Sequence, residues 1–244
     1  MRRAIAPALI LFASLAHAAA ADESSIAKFS TAAPGAEIPA GWEKAELPYG
    51  KKSEFKIVED GGKNVLQVRA DGSFGSLAHR LAGDAQKTPI LEWRWKVDRV
   101  VEKAEIDTKS GEDFAARVYV AFDIPESELS KGDRTKLKIA RAVQSFVPAA
   151  AICYVWDNKH PVGASMWSPY FGHVRTVVVE SGGARAGQWV AEKRDIEADF
   201  LAAFGAKWKG KIPAITGVVV GNDTDQTGET VTASFGDLSL EPRK

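Results

Sequence analysis

Two stretches of this chain alternate between core-type and more polar positions, and that alternation limits the fold more than any other feature. Leu91, Trp93, Trp95 and Val97 alternate with Glu92, Arg94, Lys96 and Asp98. Phe114, Ala116, Val118, Val120 and Phe122 alternate with Ala115, Arg117, Tyr119, Ala121 and Asp123. Successive side chains of a strand point to opposite faces, so a period of two reads as a strand with one buried face. Further strands are expected at 54–59, 64–70, 75–81, 151–157, 174–181, 188–194, 215–222 and 232–241. Turn sequences such as Asp60-Gly61-Gly62, Asp71-Gly72 and Gly182-Gly183 separate many of them.

Two helices interrupt the series. Asp133 caps a segment running to Phe146, with Ile139, Val143 and Phe146 on one face and Pro148 as its stop. Asp195 caps a shorter one, with Ile196, Phe200 and Phe204 in register and Gly205 as the C-terminal signal. The strands follow one another without regular intervening helices, which excludes a βαβ arrangement. The expected fold is all-β: a two-sheet antiparallel sandwich of jelly-roll type with two short helices.

Residues 1–20 read as a signal peptide. Arg2 and Arg3 supply the positive start, 5–16 form a short apolar run, and Ala16-His17-Ala18 or Ala18-Ala19-Ala20 offers the cleavage site. The remainder, 21–244, shows no linker, repeat or like-charge block and reads as one β-sandwich domain. The signal implies a periplasmic or secreted protein of bacterial type. No later stretch is apolar for long enough to span a membrane as a helix. Lys plus Arg and Asp plus Glu both number 32, so charge gives no reason to expect nucleic acid as a partner. The only cysteine, Cys153, excludes a disulfide framework and any multi-cysteine metal site.

Two constellations could carry chemistry. In Gly221-Asn222-Asp223-Thr224-Asp225-Gln226-Thr227-Gly228, the oxygen-bearing Asp223, Asp225 and Thr227 alternate before a glycine, a spacing that suits a weak Ca²⁺ loop. Its twelfth position is Ser234 rather than a bidentate Glu, so Asp237 is the expected distant donor. The bland alternative is a polar hairpin whose side chains bond nearby backbone N–H groups. The second constellation is a polar sheet face. Arg117 and Tyr119 share a face, with Arg94, Tyr154, Trp156 and Asp157 expected beside them as a platform on which a sugar could stack. The alternative is a packed face with structural ion pairs. No zinc spacing, nucleophile elbow or phosphate loop is present, so no catalytic residue is assigned. Glu112-Asp113, Asp123 and Asp157 are the only carboxylates singled out for glycoside hydrolysis.

The ordered set Glu92-Trp93-Arg94-Trp95-Lys96-Val97, Gly111 to Val120, Cys153-Tyr154-Val155-Trp156, Trp189 to Asp195, Asp199-Phe200, Phe204-Gly205, Asp223 to Gly228 and Phe235-Gly236-Asp237 resembles a bacterial family known as a domain of unknown function, number 3047. The resemblance covers nearly the whole chain after residue 20. It implies a secreted or periplasmic β-sandwich of galactose-binding or lectin-like kind and brings no reaction or catalytic residue. Three functions remain open: a non-catalytic carbohydrate-binding module with a glycan partner, an envelope polysaccharide lyase or hydrolase, and an assembly partner without a small ligand. Export is the expectation most directly checked. Intact-mass measurement of protein recovered from the periplasm should show a chain beginning after Ala18 or Ala20, whereas unprocessed protein in the cytoplasm would refute the signal.

Overall fold

A computed structural model describes residues 25–45, 48–144, 146–205, 208 and 211–244. The expected signal peptide lies outside the described residues. The first strands are β1 (Glu43–Lys44), β2 (Glu54–Asp60), β3 (Lys63–Asp71), β4 (Phe74–Gly83), β5 (Ile90–Val97) and β6 (Phe114–Phe122). A helix, α1 (Lys131–Val143), precedes β7 (Ala150–Asp157), β8 (Ser165–Trp167), β9 (Val174–Ser181) and β10 (Val190–Asp195). The second helix, α2 (Ile196–Phe204), leads to β11 (Ile215–Asp223), β12 (Thr230–Phe235) and β13 (Ser239–Glu241).

The strands form two sheets. One has the order β1-β4-β11-β6-β7-β9-β8; the other runs β10-β5-β12-β3-β2, with β13 also paired to β5. The chain crosses repeatedly between them, giving the two-sheet β-sandwich of jelly-roll type. Among the described residues every strand pair is antiparallel except β7 with β9, which is parallel. The three-residue β8 carries no alternation signal of its own, and the expected strand 232–241 is divided into β12 and β13.

The core lies between the sheets. Phe55, Ile57, Leu66, Val68, Trp93, Trp95 and Phe235 come from one side, and Leu77, Val118, Val120, Tyr154, Trp156, Val218 and Val220 from the other. Aromatic rings bridge the layers. Trp93 and Tyr154 lie 5.5 Å apart between centroids, and Trp95 and Trp156 lie 6.0 Å apart. This overturns the shared face expected for Tyr154 and Trp156. Val118 is paired with Tyr154 and Ala116 with Trp156, and paired residues share a sheet face. All eight residues of β7 are buried, so that strand shows no alternation from which its parity could be read.

The helices are set by their caps. Ser130, not Asp133, caps α1: its Oγ accepts from the Asp133 N–H at 3.0 Å and donates to the Asp133 carboxylate at 2.8 Å. Leu137 is the buried residue of the helix, while Ile139 and Val143 are 64% and 50% exposed. The inward face therefore runs through Leu137, Ala140 and Gln144, and Phe146 packs inward only after the helix has ended. Asp195 caps α2 as expected, and Ile196 and Phe200 are buried beneath it. Among the described residues no helix is long and apolar enough to cross a membrane.

The Tyr154 hydroxyl donates to Asp199 at 2.8 Å, and Arg194 grips the same carboxylate through two N–H groups at 2.6 and 3.0 Å. Tyr154 thus ties α2 to the core. Tyr154→Phe should lower unfolding stability by about 1.5–3 kcal/mol in urea titrations, the usual worth of a hydrogen bond to a charged acceptor. A loss below about 0.5 kcal/mol would assign the tyrosine to packing alone.

Candidate functional site

The outer face of the seven-stranded sheet carries a cleft of about 410 Å³. Its floor is built by strand register. Arg117 on β6 pairs with Gly221 on β11, which pairs in turn with Ser76 on β4. A Cβ on Gly221 would meet the Gly75 carbonyl at 2.1 Å and the Ser76 Oγ at 2.6 Å, so only glycine permits this close approach. Gly217 plays a similar part for Phe146, whose ring would lie 2.7 Å from an added Cβ. Tyr49, Phe74, Tyr119, Tyr170 and Phe171 line the cleft, with Ala140 and Gln144 added from α1 and its end.

Arg117 is the centre of the floor. It donates to Asp223 at 2.9 Å, approaches the Ser76 hydroxyl at 3.5 Å and lies 5.6 Å from the Tyr119 ring centroid. Its side chain is only 11% exposed, and its Nε has no hydrogen-bond partner. Burial pushes Asp223 up to about 7; Asp225 and Asp113 add to the effect, while Arg117 opposes it. Glu112 arrives from the loop before β6 and meets Ser168 of the β8–β9 connection. Burial raises its carboxyl as well, against the pull of the Ser168 hydroxyl and Arg117. The Tyr170 hydroxyl donates to the Lys109 carbonyl at 2.6 Å and so joins the same two loops. Burial also pushes the Cys153 thiol, beside Tyr119, up to about 12, so it is no nucleophile at neutral pH. His173 lines the cleft and is held towards its neutral form by burial, with its Nδ1 3.9 Å from the Asp133 carboxylate.

The structure sorts the expected site residues into separate places. Arg117 and Tyr119 share the cleft face, and Asp223 and Asp225 join them. Arg94 is on the outside of the other sheet, stacked 4.4 Å from the Trp189 ring centroid. Tyr154 and Trp156 are in the core. Asp157 closes a turn: its Oδ2 accepts from the Lys159 and His160 N–H groups at 2.9 and 2.6 Å and lies 2.9 Å from the His160 ring. The platform expected from all six residues is therefore not one surface, because it spans both sheets and the core.

The 223–227 loop is equally specific. Asp113, Asp223 and Asp225 can bring one oxygen each within 4.8 Å of one another, a set able to hold a cation. Thr227 does not join them. Its hydroxyl faces the Glu229 N–H at 3.4 Å, and its own N–H donates to Asp113 at 2.7 Å. Asp237 is elsewhere, bonded to Ser30. Asp113, adjacent to Glu112 in the sequence, is thus the acid that meets this loop. Ser168, Tyr170 and His173 escaped sequence reading because no periodic or motif signal joins them to β6 or β11.

A family model described as "Protein of unknown function (DUF3047)" matches residues 40–239. The chain belongs to this family. No curated protein matches it. Among solved structures it is similar to endoglucanase cel12A from Rhodothermus marinus, at 10% identity and TM-score 0.43, over 86% of this chain and 96% of that one. It is also similar to the xyloglucanase domain of NopAA from Sinorhizobium fredii, in complex with cellobiose, at 14% identity and TM-score 0.43 (88% and 100% covered). A third is a family 11 carbohydrate-binding module from Clostridium thermocellum, in complex with a mixed-linked tetrasaccharide, at 11% identity and TM-score 0.42 (90% and 95% covered).

A carboxyl raised in the native state makes folding favour the protonated form. The stability Asp223 contributes is complete below about pH 4 and is lost as pH rises through about 7. The melting midpoint of the wild-type protein should therefore fall between pH 4 and 8, and fall less in Asp223→Asn. Superimposable pH profiles would refute the burial of an ionisable Asp223.

Proposed function

We propose that the cleft on the seven-stranded sheet binds a neutral oligosaccharide. The observation that carries this reading is the combination, in one cleft, of aromatic walls with desolvated hydrogen-bonding groups. The volume of about 410 Å³ falls within the ~300–1,000 Å³ range of small-ligand sites. Tyr119, Tyr170 and Phe74 offer apolar ring surface to the C–H face of a sugar, while Glu112, Ser168 and Gln226 offer donors and acceptors to its hydroxyls.

Charge selects the ligand class. Acidic groups at Glu112, Asp113, Asp223 and Asp225 surround a single guanidinium that is already paired with Asp223. An anionic sugar would meet that acidic surround, and a cationic ligand would meet Arg117. A neutral polyol meets neither penalty. The acidic cluster holds no metal in this reading, because Arg117 is bonded to Asp223 and two backbone N–H groups, of Gln226 and Thr227, point at Asp113.

Calorimetric titration with neutral and uronate-containing oligosaccharides tests the proposal. Neutral chains should bind, uronates should not, and Tyr119→Ala should weaken binding ten- to a hundredfold, about 1.4–2.8 kcal/mol. Preference for uronates, or no binding by either class, would overturn it. A melting midpoint higher in excess Ca²⁺ than in EDTA would assign the acidic cluster to a cation instead.

A further inference from the structure

The outer face of the other sheet holds a second hollow, of about 480 Å³, which shares no lining residue with the cleft. Strand register builds it around Arg94. On β5, Glu92 and Arg94 are two residues apart and so share a face. Arg94 pairs with Ala191 of β10, while Glu92 pairs with Lys193 of β10 and Ser239 of β13. Arg94 is thus bordered by two positions without a large side chain, Ala191 and Gly236, and the Gly236 N–H donates to the Arg94 carbonyl at 2.9 Å. A Cβ at Gly236 would lie 2.6 Å from the Arg94 Cγ and 2.7 Å from its Nε, so glycine lets the side chain lie against the backbone there. The guanidinium stacks 4.4 Å from the Trp189 ring centroid. These two contacts hold the charge in place before any ligand arrives, which lowers the cost of binding one.

The charges around the hollow are unequally used. Lys193 is paired with Glu92 at 2.8 Å, and Lys96, two residues beyond Arg94, is paired with Asp60. Arg94, Lys63 and Asp237 line the hollow and enter no ion pair among the described residues. Asp237 is nonetheless fixed, because it accepts from the Ser30 N–H at 2.9 Å and from the Ser30 hydroxyl at 2.5 Å. A purely anionic ligand would meet Asp237, and a purely cationic one would meet Arg94 and Lys63. A ligand with both charges a few bonds apart satisfies all three. We infer that this hollow binds a short zwitterionic peptide, with its carboxylate on Arg94 and Lys63 and its ammonium on Asp237. The planar fork of the guanidinium matches the two oxygens of a carboxylate, and the compact carboxylate of Asp237 suits an ammonium. A volume of about 480 Å³ is within the ~300–1,000 Å³ range of small-ligand sites. The inference does not depend on the glycan reading, which concerns the opposite face of the molecule.

The test titrates the protein with alanyl-alanine, its N-acetyl form and its methyl ester, followed by calorimetry. The free dipeptide should bind at millimolar concentration. Each blocked form, lacking one of the two charges, should bind at least about tenfold more weakly, the worth of one hydrogen-bonded charge. Arg94→Gln should erase the preference for the free acid over the ester and keep the preference for the free amine. Asp237→Asn should do the reverse. The preference that each variant retains also shows that it folds, and the comparison of the three ligands on the wild type needs no variant. Tyr119→Ala, in the cleft, should leave dipeptide affinity within about twofold. Absence of binding by the free dipeptide overturns the inference. Equal binding of the N-acetyl form or of the ester overturns the zwitterion assignment. Dipeptide binding that survives Arg94→Gln unchanged, or is lost in Tyr119→Ala, places the ligand elsewhere and overturns the site.

Discussion

The contact between the two sheets through Trp93 with Tyr154 and Trp95 with Trp156 decides most of what else this protein presents. These large rings fill the layer between β5 and β7 and fix which edge of each strand faces inward. Once Tyr154 and Trp156 point into the core, register obliges Val118 and Ala116 to point there too. Arg117 and Tyr119 must then face the opposite way, onto the outer surface of the seven-stranded sheet. A one-residue slip of β7 against β6 would send Cys153 and Val155 inward and force the large rings into the smaller buried cluster around Ile106, Phe114 and Val178 on the other face. The cleft is thus a consequence of core packing several ångströms away.

The cleft itself departs from what stability alone would favour. A nearly buried guanidinium, a carboxyl pushed to about neutrality and a second desolvated carboxyl sit together, at some cost in solvation. Close approach makes the arrangement possible: with no side chain at Gly221, Arg117 reaches Asp223 and Ser76 across the neighbouring strand. The 98–113 loop and the β8–β9 connection then meet over the floor through Glu112 with Ser168 and Tyr170 with Lys109. Groups held so firmly before a ligand arrives need little reordering when it binds.

The connection from β6 to β7 shows how a helix can be placed by its ends. The Ser130 hydroxyl, accepting from the Asp133 N–H, starts α1, and Leu137 anchors it, while Lys136 donates to the Tyr170 carbonyl at 2.9 Å. Phe146 then closes the far wall beneath Arg80, whose guanidinium lies 5.1 Å from the ring centroid. The apolar spacing of Ile139, Val143 and Phe146 pointed to a different inward face. That spacing misled because Phe146 lies beyond the helical turn that would have aligned it with the other two.

The sequence by itself determined the strand-rich architecture, the inward faces of β5 and β6, the Asp195 cap and the shared face of Arg117 and Tyr119. Each of these follows from local periodicity or from a side chain bonding its own backbone, interactions that act within a few residues. Tertiary structure alone decided the parity of β7, the parallel pairing of β7 with β9, and the removal of Arg94, Tyr154, Trp156 and Asp157 from the cleft. It also decided that Glu112, Ser168 and His173 belong there and that Asp113, rather than Asp237, meets the Asp223–Asp225 loop. A strand buried on both faces has no polar face to reveal its orientation, and residues far apart in the chain meet only through register and loop closure. Neither leaves a trace in the order of the amino acids near any one of them.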